Sequence, residues 1–326
     1  MRIAVLGAGA WGTALAVSFS ASHDIRLWAR GREASDRLRN DRTSAYLPGI
    51  VLPPRVAVES DLAVAVRASD LVIVATPTAG LRETVKAVGA ELPDPALLWA
   101  CKGFETDPSH LAHQVVAGEI PRARRVGALS GPSFALEVAR GLPAALTIAS
   151  ADAAFAADMA AALNGPRLRI YSSNDVVGVE LGGALKNVIA IAAGIADGME
   201  LGRNARAALV TRGLAEMVRL GLAMGGHPET FMGLTGLGDL VLTCTGDLSR
   251  NREVGLRLAT GVALAKILEE LGHVAEGVLS ARAASGYAKR YAIEMPITQA
   301  VCAVLFEGEA AHAAVHRLLS RDPRAE

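Results

Sequence analysis

The sequence predicts an α/β fold with a doubly wound parallel sheet over its first half and an all-α fold over its second half. Up to residue 173, short apolar runs alternate with helix-forming stretches. After that point the strand signals fade, and long stretches rich in Ala, Leu, Glu, Arg and Met follow. The 326 residues are too many for one typical domain. We therefore place one domain at 1–173 and a helical second domain at 174–326.

A glycine-rich loop stands between the first predicted strand and the first predicted helix. Residues 1–6 are predicted to form a short buried strand, and Gly7, Gly9 and Gly12 follow with the GxGxxG spacing. In this context Gly7 permits a tight turn, Gly9 lets a diphosphate approach the backbone, and Gly12 lets helix and strand pack closely. The helix N-terminus then receives the phosphates. The loop predicts a Rossmann-like dinucleotide-binding domain; a glycine-rich strand-to-helix turn without a ligand is the alternative.

The second predicted strand, residues 25–29, ends at Arg30. In an NAD-preferring site a carboxylate about 20 residues after the glycines holds the ribose 2′-hydroxyl. An arginine at that place suits the additional phosphate of NADP, because the guanidinium is charged and planar. The predicted cofactor is NADP(H), with NAD(H) as the other candidate. A solvated surface arginine is the alternative interpretation of Arg30.

Further apolar runs extend the predicted sheet. They lie at 70–77, 96–103, 125–132 and 144–149, and helices are predicted near 109–117 and 151–163. Residues 41–55 contain several prolines and are predicted to form a loop. In a doubly wound sheet, ligands bind beyond the carboxyl ends of the strands. We therefore expect Thr76, Lys102 and the segment 130–133 on the cofactor side of the sheet.

Lys102 and Ser133 are the polar candidates at this edge. Lys102 follows an apolar strand and precedes a glycine, so that its amine can reach over a cofactor; an ordinary exposed lysine is the alternative. Ser133 follows Gly131 and Pro132, where a helix is predicted to start. At that place it either contributes to an anion site or only caps the helix.

In the second half, Lys186 lies among apolar neighbours on a predicted helix. Gly182 and Gly183 share its face, at a cost of roughly 1 kcal/mol each relative to alanine. A close approach by a ligand or by another backbone would explain that cost. A half-buried lysine loses hydration, which lowers its pKa and suits it to proton transfer. The alternative is an alkyl stem on the core with its ammonium in water.

Residues 204–224 are predicted to form an amphipathic helix. Arg212, Glu216 and Arg219 stand at spacings that allow ion pairs on one face. We expect most of those charges to form a solvated face.

Two polar clusters follow this helix. Asp239 ends a glycine-rich run, where it either caps the next helix or contacts a substrate hydroxyl or Lys186. Ser249, Arg250 and Asn251 place anion-binding groups side by side, and arginine is well shaped for a phosphate. A helix N-terminus with exposed arginines is the alternative. Together with the glycine loop, these are the parts needed for hydride transfer to a small phosphorylated ketone.

Composition bounds the partners and the compartment. Lys+Arg and Asp+Glu each number 33, which argues against a nucleic acid or an anionic membrane as the main partner. Three scattered cysteines and no predicted signal peptide favour a reducing, cytoplasmic compartment. The apolar run 176–196 contains charged residues, so no stable membrane insertion is expected. No metal site is predicted, because the histidine pairs lack an HExxH motif or a cysteine cluster.

Seven sequence blocks together resemble the bacterial NAD(P)-dependent glycerol-3-phosphate dehydrogenases. The blocks are GAGAWGTALA, CKGFE, SGPSFA, LGGALKN, GLTGLGDLVLTC, LSRNREVG and AEGV, and their order and separation fit this family up to about residue 280. The resemblance implies reversible reduction of dihydroxyacetone phosphate to sn-glycerol 3-phosphate, which feeds glycerophospholipid synthesis. It also implies a homodimer.

The same resemblance implies residue roles. Lys186 is then the proton donor or acceptor, and Lys102 lies between nicotinamide and substrate. Asn187 and Thr243 lie near the reacting centre. The implied substrate-binding residues are Lys102, Gly131, Ser133, Lys186, Asp239, Ser249, Arg250 and Asn251. The implied cofactor-contacting residues, besides the three glycines, are Trp11, Arg30, Lys102, Ala135, Arg250, Val274 and Glu276. Cys101 stands where a hydroxyl residue is more usual.

Two rival functions stay open. Another two-domain reductase, acting on a β-hydroxy acid or a ketopantoate-like substrate, would share the glycine loop and the helical lysine. Arg250 and Asn251 favour a phosphate over a carboxylate. The second rival is a nucleotide-binding sensor without catalysis, and the presence of Lys186 and Asp239 argues against it.

Overall fold

The computed structural model describes residues 1–272 and 275–320. Its contacts divide the chain into two compact units, Met1–Glu180 and Leu181–Glu326. The division at Glu180 falls a little after the boundary at 173 expected from the sequence, because a long helix that begins at Val176 belongs to both units.

Ten strands form the sheets of the first unit. They are β1 (Arg2–Leu6), β2 (Asp24–Trp28), β3 (Thr43–Ser44), β4 (Leu47–Val51), β5 (Val56–Glu59), β6 (Leu71–Val74), β7 (Leu97–Trp99), β8 (Val126–Ser130), β9 (Ala144–Ala149) and β10 (Leu168–Ser173). Eight of them form one sheet in the order β10-β9-β8-β7-β6-β1-β2-β5, and all neighbours are parallel except β8 and β9.

Seven helices accompany this sheet. They are α1 (Ala10–Phe19), α2 (Arg32–Asp41), α3 (Leu62–Val66), α4 (Leu81–Glu91), α5 (Ala112–Glu119), α6 (Ala135–Ala139) and α7 (Ala153–Leu163). Ile3 and Val5 of β1 pack into one apolar cluster, and Ala4 and Leu6 pack into another. Both faces of β1 are therefore covered from Ile3 to Leu6, which explains why these four residues form a continuous apolar run.

The chain reverses its direction of travel across the sheet at β1. β2 pairs with one edge of β1 and β6 pairs with the other. In doubly wound sheets the crevice beyond the carboxyl ends at such a point is the usual ligand site. The fold therefore puts the glycine loop, which follows β1, where a nucleotide would bind.

The structure corrects the predicted loop over residues 41–55, because part of it forms the antiparallel hairpin β3–β4. Leu47 and Ile50 are buried there against Ala14 and Val138. The edge strands β5 and β10 are additional to the predicted strands. Their residues alternate between buried and exposed, which is a weaker signal than the fully apolar runs of the central strands.

The described part of the second unit is helical. Its elements are α8 (Val176–Gly198), α9 (Gly202–Ala223), α10 (Pro228–Met232), a π-helical turn (Leu234–Gly238), α11 (Asp239–Thr245), α12 (Arg250–Ala259), α13 (Leu264–Leu271), α14 (Glu276–Arg290), α15 (Pro296–Phe306) and α16 (Ala311–Leu319). α8 is the one helix of the described residues that is long and apolar enough to cross a membrane. However, 89% of the residues in its most apolar 18-residue stretch are buried inside the protein, as expected of a core helix.

The solvated face expected on α9 is wrong for Glu216. This carboxylate is buried and accepts hydrogen bonds from the backbone N–H groups of Ile297 and Thr298 and from the Thr298 hydroxyl. It thereby accepts hydrogen bonds from N–H groups in the first turn of α15, which have no acceptor within their own helix. Burial raises the pKa of Glu216, and these hydrogen bonds oppose the rise.

Candidate active site

The glycine loop between β1 and α1 has the close packing that its spacing predicts. Gly7 has φ of +116°, and a Cβ there would lie 2.9 Å from backbone atoms of Ala75 and Thr76. A Cβ on Gly12 would lie 1.9 Å from the carbonyl oxygen of Gly7. Larger residues at these two positions would therefore force the strand and the helix apart.

Gly9 differs from Gly7 and Gly12, because among the described residues no atom beyond its two chain neighbours lies within 4 Å of where its Cβ would be. It precedes α1, whose first N–H groups have no acceptor within the helix. Among the described residues, Trp11 Nε1 and Thr76 Oγ1 are buried beside this loop without a hydrogen-bond partner. An open backbone and unsatisfied donors fit the diphosphate of a dinucleotide.

The other cofactor candidates of the first unit lie around this loop. Arg30 is exposed and lies two residues after the end of β2, before α2 begins. Ala135 is the first residue of α6, which packs against α1.

Lys102 and Ser133 converge on one acceptor. Lys102 Nζ donates to the carbonyl oxygen of Gly131 over 2.9 Å, and Ser133 Oγ donates to the same oxygen over 3.0 Å. Gly131 has φ of +136°, and a Cβ there would lie 2.8 Å from the carbonyl oxygen of Ala145. The capping alternative for Ser133 is wrong, because Phe134 is the N-cap of α6.

In the second unit, Lys186 of α8 and Asp239 of α11 form a buried ion pair. Their side chains are 9% and 1% exposed, and Lys186 Nζ donates to Asp239 Oδ1. Thr243 Oγ1 donates to the backbone oxygen of Asp239 over 2.6 Å and lies 3.5 Å from Oδ1. Asp239 thus does not cap α11, whose N-cap is Gly238; it holds the ammonium group in one direction. Snorkelling of Lys186 into water is excluded by this burial.

The backbone around this pair explains one of the glycines on α8. A Cβ on Gly182 would lie 2.3 Å from the carbonyl oxygen of Thr235, in the π-helical turn that leads to Asp239. A Cβ on Gly236 would lie 2.1 Å from the carbonyl oxygen of Phe231. Of the two explanations for Gly182, the approach of another backbone therefore applies. π-helical turns of this kind are frequent at functional sites.

Asn187, next to Lys186, begins a second set of contacts. Asn251 Nδ2 donates to Asn187 Oδ1 over 2.9 Å, and Asn251 Oδ1 accepts from the N–H of Gly277 over 3.0 Å. Asn187 Nδ2 donates to the carbonyl oxygen of Gly183 over 3.2 Å. The amide of Asn251 thus links α8 to the first turn of α14.

The remaining candidates of the second unit surround Asn251. Ser249 is the N-cap of α12 and accepts from the N–H of Arg252 over 3.3 Å. Arg250 is exposed at the first position of α12, and Glu276 is the first residue of α14. Val274 lies outside the described residues. Within the described ranges, no group of three His, Cys, Asp or Glu side chains is placed to hold a metal ion.

Comparison with known proteins identifies the family. Residues 2–156 match the protein family described as "NAD-dependent glycerol-3-phosphate dehydrogenase N-terminus". Residues 175–316 match the family described as "NAD-dependent glycerol-3-phosphate dehydrogenase C-terminus". A glycerol-3-phosphate dehydrogenase [NAD(P)+] of Thiobacillus denitrificans is 56% identical over the whole of both chains. The chain belongs to this dehydrogenase family.

Two further relatives agree with this assignment. The glycerol-3-phosphate dehydrogenase [NAD(P)+] of Aromatoleum aromaticum is also 56% identical over the whole of both chains. A crystal structure of the glycerol-3-phosphate dehydrogenase from Coxiella burnetii is 40% identical and superimposes with a TM-score of 0.94, covering 98% of this chain and 99% of that one. The predicted fold class is therefore confirmed, and the chain is an oxidoreductase that uses NAD or NADP.

Sequence reasoning missed two charged groups of this dehydrogenase. In α5, the N–H and Nδ1 of His113 lie 2.8 and 2.5 Å from the buried carboxylate of Glu180. In the second unit, Asp197 accepts from Arg206 and Arg252. Glu180, Lys186 and Asp197 are ionisable residues within one apolar helix, and that signal was available in the sequence for all three.

Burial and charge act in opposite directions on His113. Burial lowers its pKa, but the hydrogen bond that the ring donates to Glu180 and the charge of that carboxylate together raise it by more. The pKa of His113 is therefore above its ordinary value.

Proposed function

We propose that this chain catalyses the reversible reduction of dihydroxyacetone phosphate to sn-glycerol 3-phosphate with NADPH or NADH. The observation that carries the proposal is the buried ion pair of Lys186 and Asp239. A lysine in an apolar core is costly unless it is paired, and a directed ammonium group is what reduction of a ketone oxygen requires.

Lys186 is the proposed proton donor. Its ammonium group gives a proton to the ketone oxygen as negative charge develops there, and its positive charge stabilises that oxygen. In the reverse direction the amine takes the proton of the hydroxyl group. Asp239 directs the ammonium group, and Thr243 holds Asp239 through the hydrogen bond to its backbone oxygen. When bound, NAD(P)H supplies the hydride that the ketone carbon receives.

The dinucleotide is proposed to bind at the glycine loop. Gly9 leaves room for its diphosphate, and Gly7 and Gly12 let β1 and α1 pack closely behind it. Arg30 is proposed to contact the ribose phosphate that distinguishes NADP from NAD. The other proposed cofactor contacts are Trp11, Lys102, Ala135, Arg250, Val274 and Glu276.

The substrate phosphate is proposed to bind at the start of α12. Arg250 is exposed there, and a guanidinium can hold a phosphate through two parallel hydrogen bonds. The N-terminus of the helix adds partial positive charge. The other proposed substrate contacts are Lys102, Gly131, Ser133, Lys186, Asp239, Ser249 and Asn251, with Asn187 near the reacting centre.

The test follows the absorbance of reduced nicotinamide with purified protein. We expect oxidation of NADPH with dihydroxyacetone phosphate, and a much lower rate with unphosphorylated dihydroxyacetone because Arg250 then has no phosphate to bind. Parallel assays use NADH and ketopantoate. Turnover of ketopantoate without turnover of dihydroxyacetone phosphate would support the rival reductase.

The setting is proposed from the same function. sn-Glycerol 3-phosphate is the backbone of glycerophospholipids, so the enzyme would supply their synthesis in the cytoplasm. We infer a homodimer, which sedimentation of the purified enzyme tests: a single species of twice the chain mass is expected, and a monomer at assay concentration would contradict it.

A further inference from the structure

Asp197 lies near the end of α8 and has no part in the proposed reaction. Its side chain is 13% exposed and accepts hydrogen bonds from two arginines. Arg206 Nη1 of α9 lies 3.0 Å from Oδ2, and Arg252 Nε of α12 lies 2.8 Å from the same oxygen. A carboxylate so far removed from water is retained at a cost, which these two charge-assisted hydrogen bonds offset.

The backbones of α8 and α12 touch directly beside this carboxylate. A Cβ on Gly194 would lie 2.0 Å from the carbonyl oxygen of Arg252, and a Cβ on Gly255 would lie 2.0 Å from the carbonyl oxygen of Ile191. The distance between the two helices is therefore fixed by backbone contact. The same contacts fix which face of α12 lies on α8, and the side chains of its first turn add to this by holding that turn, where Arg250 stands, in one direction.

Three consecutive residues at the start of α12 point in three directions, because successive side chains on a helix are about 100° apart. Asn251 is held by Asn187 and by the N–H of Gly277. Arg252 is held by Asp197. With these two directions set, the direction of Arg250 is set as well, and Arg250 is exposed.

We propose that Asp197 is a positioning residue for the substrate phosphate: through Arg252 it holds the first turn of α12 in the direction that presents Arg250. The inference rests on the proposed function of Arg250. Asp197 also pairs with Arg252, so that of the two arginines only Arg250 is left to bind the phosphate dianion. Arg206 also holds Asp197, through hydrogen bonds to both of its carboxylate oxygens, which restrains the carboxylate independently of Arg252.

The test is the substitution Asp197→Asn, which keeps the shape of the side chain and removes its charge. We expect KM for dihydroxyacetone phosphate to rise about tenfold, because a charge-assisted hydrogen bond that directs the helix is weakened. The dissociation constant for NADPH is expected to rise by less than KM does, because Arg250 is only one of several proposed cofactor contacts and the glycine loop of the first unit is unchanged. Asp247→Asn is the matched control: Asp247 also pairs with Arg252, but its side chain is 97% exposed, and we expect no change in KM.

A double-variant comparison distinguishes positioning from general damage. Arg250→Ala alone is expected to raise KM for dihydroxyacetone phosphate, and adding Asp197→Asn is expected to raise it no further, because Asp197 acts only through Arg250. If KM in the double variant rises by the product of the two single-variant increases, the two residues act independently and the proposal is overturned. An unchanged KM in Asp197→Asn, with a raised KM in Arg250→Ala, would also overturn it.

Two outcomes concern other parts of the assignment. If Arg250→Ala leaves KM unchanged, then Arg250 does not bind the phosphate, and both proposals about α12 fail. If Asp197→Asn does not yield folded protein, Arg252→Lys keeps the charge but loses the planar fork. A raised KM in Arg252→Lys, with NADPH binding retained, supports the proposal, and an unchanged KM overturns it.

Discussion

The nucleotide loop and the lysine site use different parts of the chain to interact with charged groups. The loop uses backbone: glycines remove side chains, and the start of α1 offers N–H groups. The lysine site uses side chains, with Lys186 and Asp239 buried as a pair. If an added side chain fills a backbone site, the protein should bind the ligand more weakly, and its folding stability should not fall. A buried ion pair should lose activity and stability together, because removing one partner leaves the other charge unpaired.

Lys186→Ala should have the largest effect. We expect kcat to fall about a thousandfold, the range in which a general acid contributes, while NADPH still binds. The melting temperature should also fall, because Asp239 is left buried without its partner. Steady-state kinetics, nucleotide titration and calorimetry measure the three quantities.

The control for this variant is Lys266→Ala, which removes an exposed lysine of the same unit. It should behave as wild type in all three measurements. Turnover near the wild-type rate in Lys186→Ala would contradict the assignment of the proton donor.

Gly9→Ala should show the opposite behaviour. Its backbone has φ of −72°, and in the part of the chain that the structure describes only its sequence neighbours lie near the added methyl group, so the melting temperature should not fall. The methyl group should nevertheless meet the diphosphate and weaken the binding of NADPH by about tenfold or more. Titration of nucleotide fluorescence and thermal denaturation test both statements.

Gly118→Ala is the matched control, because Gly118 lies on α5 and its Cβ position is also open. It should leave NADPH binding unchanged and add up to about 1 kcal/mol of stability. Equal NADPH affinity in Gly9→Ala and wild type would contradict the proposal that the diphosphate binds at this loop.

Arg30→Ala sharpens the comparison within the first unit, since it tests a side chain beside a backbone site. We expect NADPH to bind about tenfold more weakly and NADH to be little affected, because only NADPH has the 2′-phosphate. Arg37→Ala, on the exposed face of α2, should change neither. Equal losses for both nucleotides would show that Arg30 does not read the 2′-phosphate.

The smallest expected effect concerns His113 and Glu180. The pKa of His113 is raised, so its contribution to stability is fully present below pH 6.5 and is lost as pH rises through the folded-state pKa. In Glu180→Gln only burial should act, and the pKa should fall below its ordinary value. A titration of the His113 ring followed by NMR measures both values. A pKa that is the same in the two proteins would contradict the role given to Glu180.

How much of this was accessible from the sequence depended on how local each feature is. The glycine loop was predictable because its three glycines, strand and helix are contiguous. The hairpin β3–β4 was not, because its apolar residues are few and are buried by α1 and α6, which are remote in sequence. The edge strands carry only half of the apolar signal of the central ones.

The polar contacts of the second unit show the same limit. Lys186 was a candidate because a charge in an apolar helix is conspicuous. Its partner was one of several alternatives for Asp239, because a pairing across 53 positions leaves no periodic pattern. Glu216 was misjudged for this reason: its acceptor role depends on the first turn of α15, where Ile297 lies 81 positions later.

The burial of α8 has a consequence for biosynthesis. Its side and backbone contacts to Gly213, Thr235 and Arg252 are all made with residues that leave the ribosome after it. Until those residues emerge, the part of α8 after Glu180 lacks these contacts, and the nascent chain carries a long apolar segment that is only partly covered. Chaperones that hold apolar segments are therefore expected to bind the nascent polypeptide at this stage of translation.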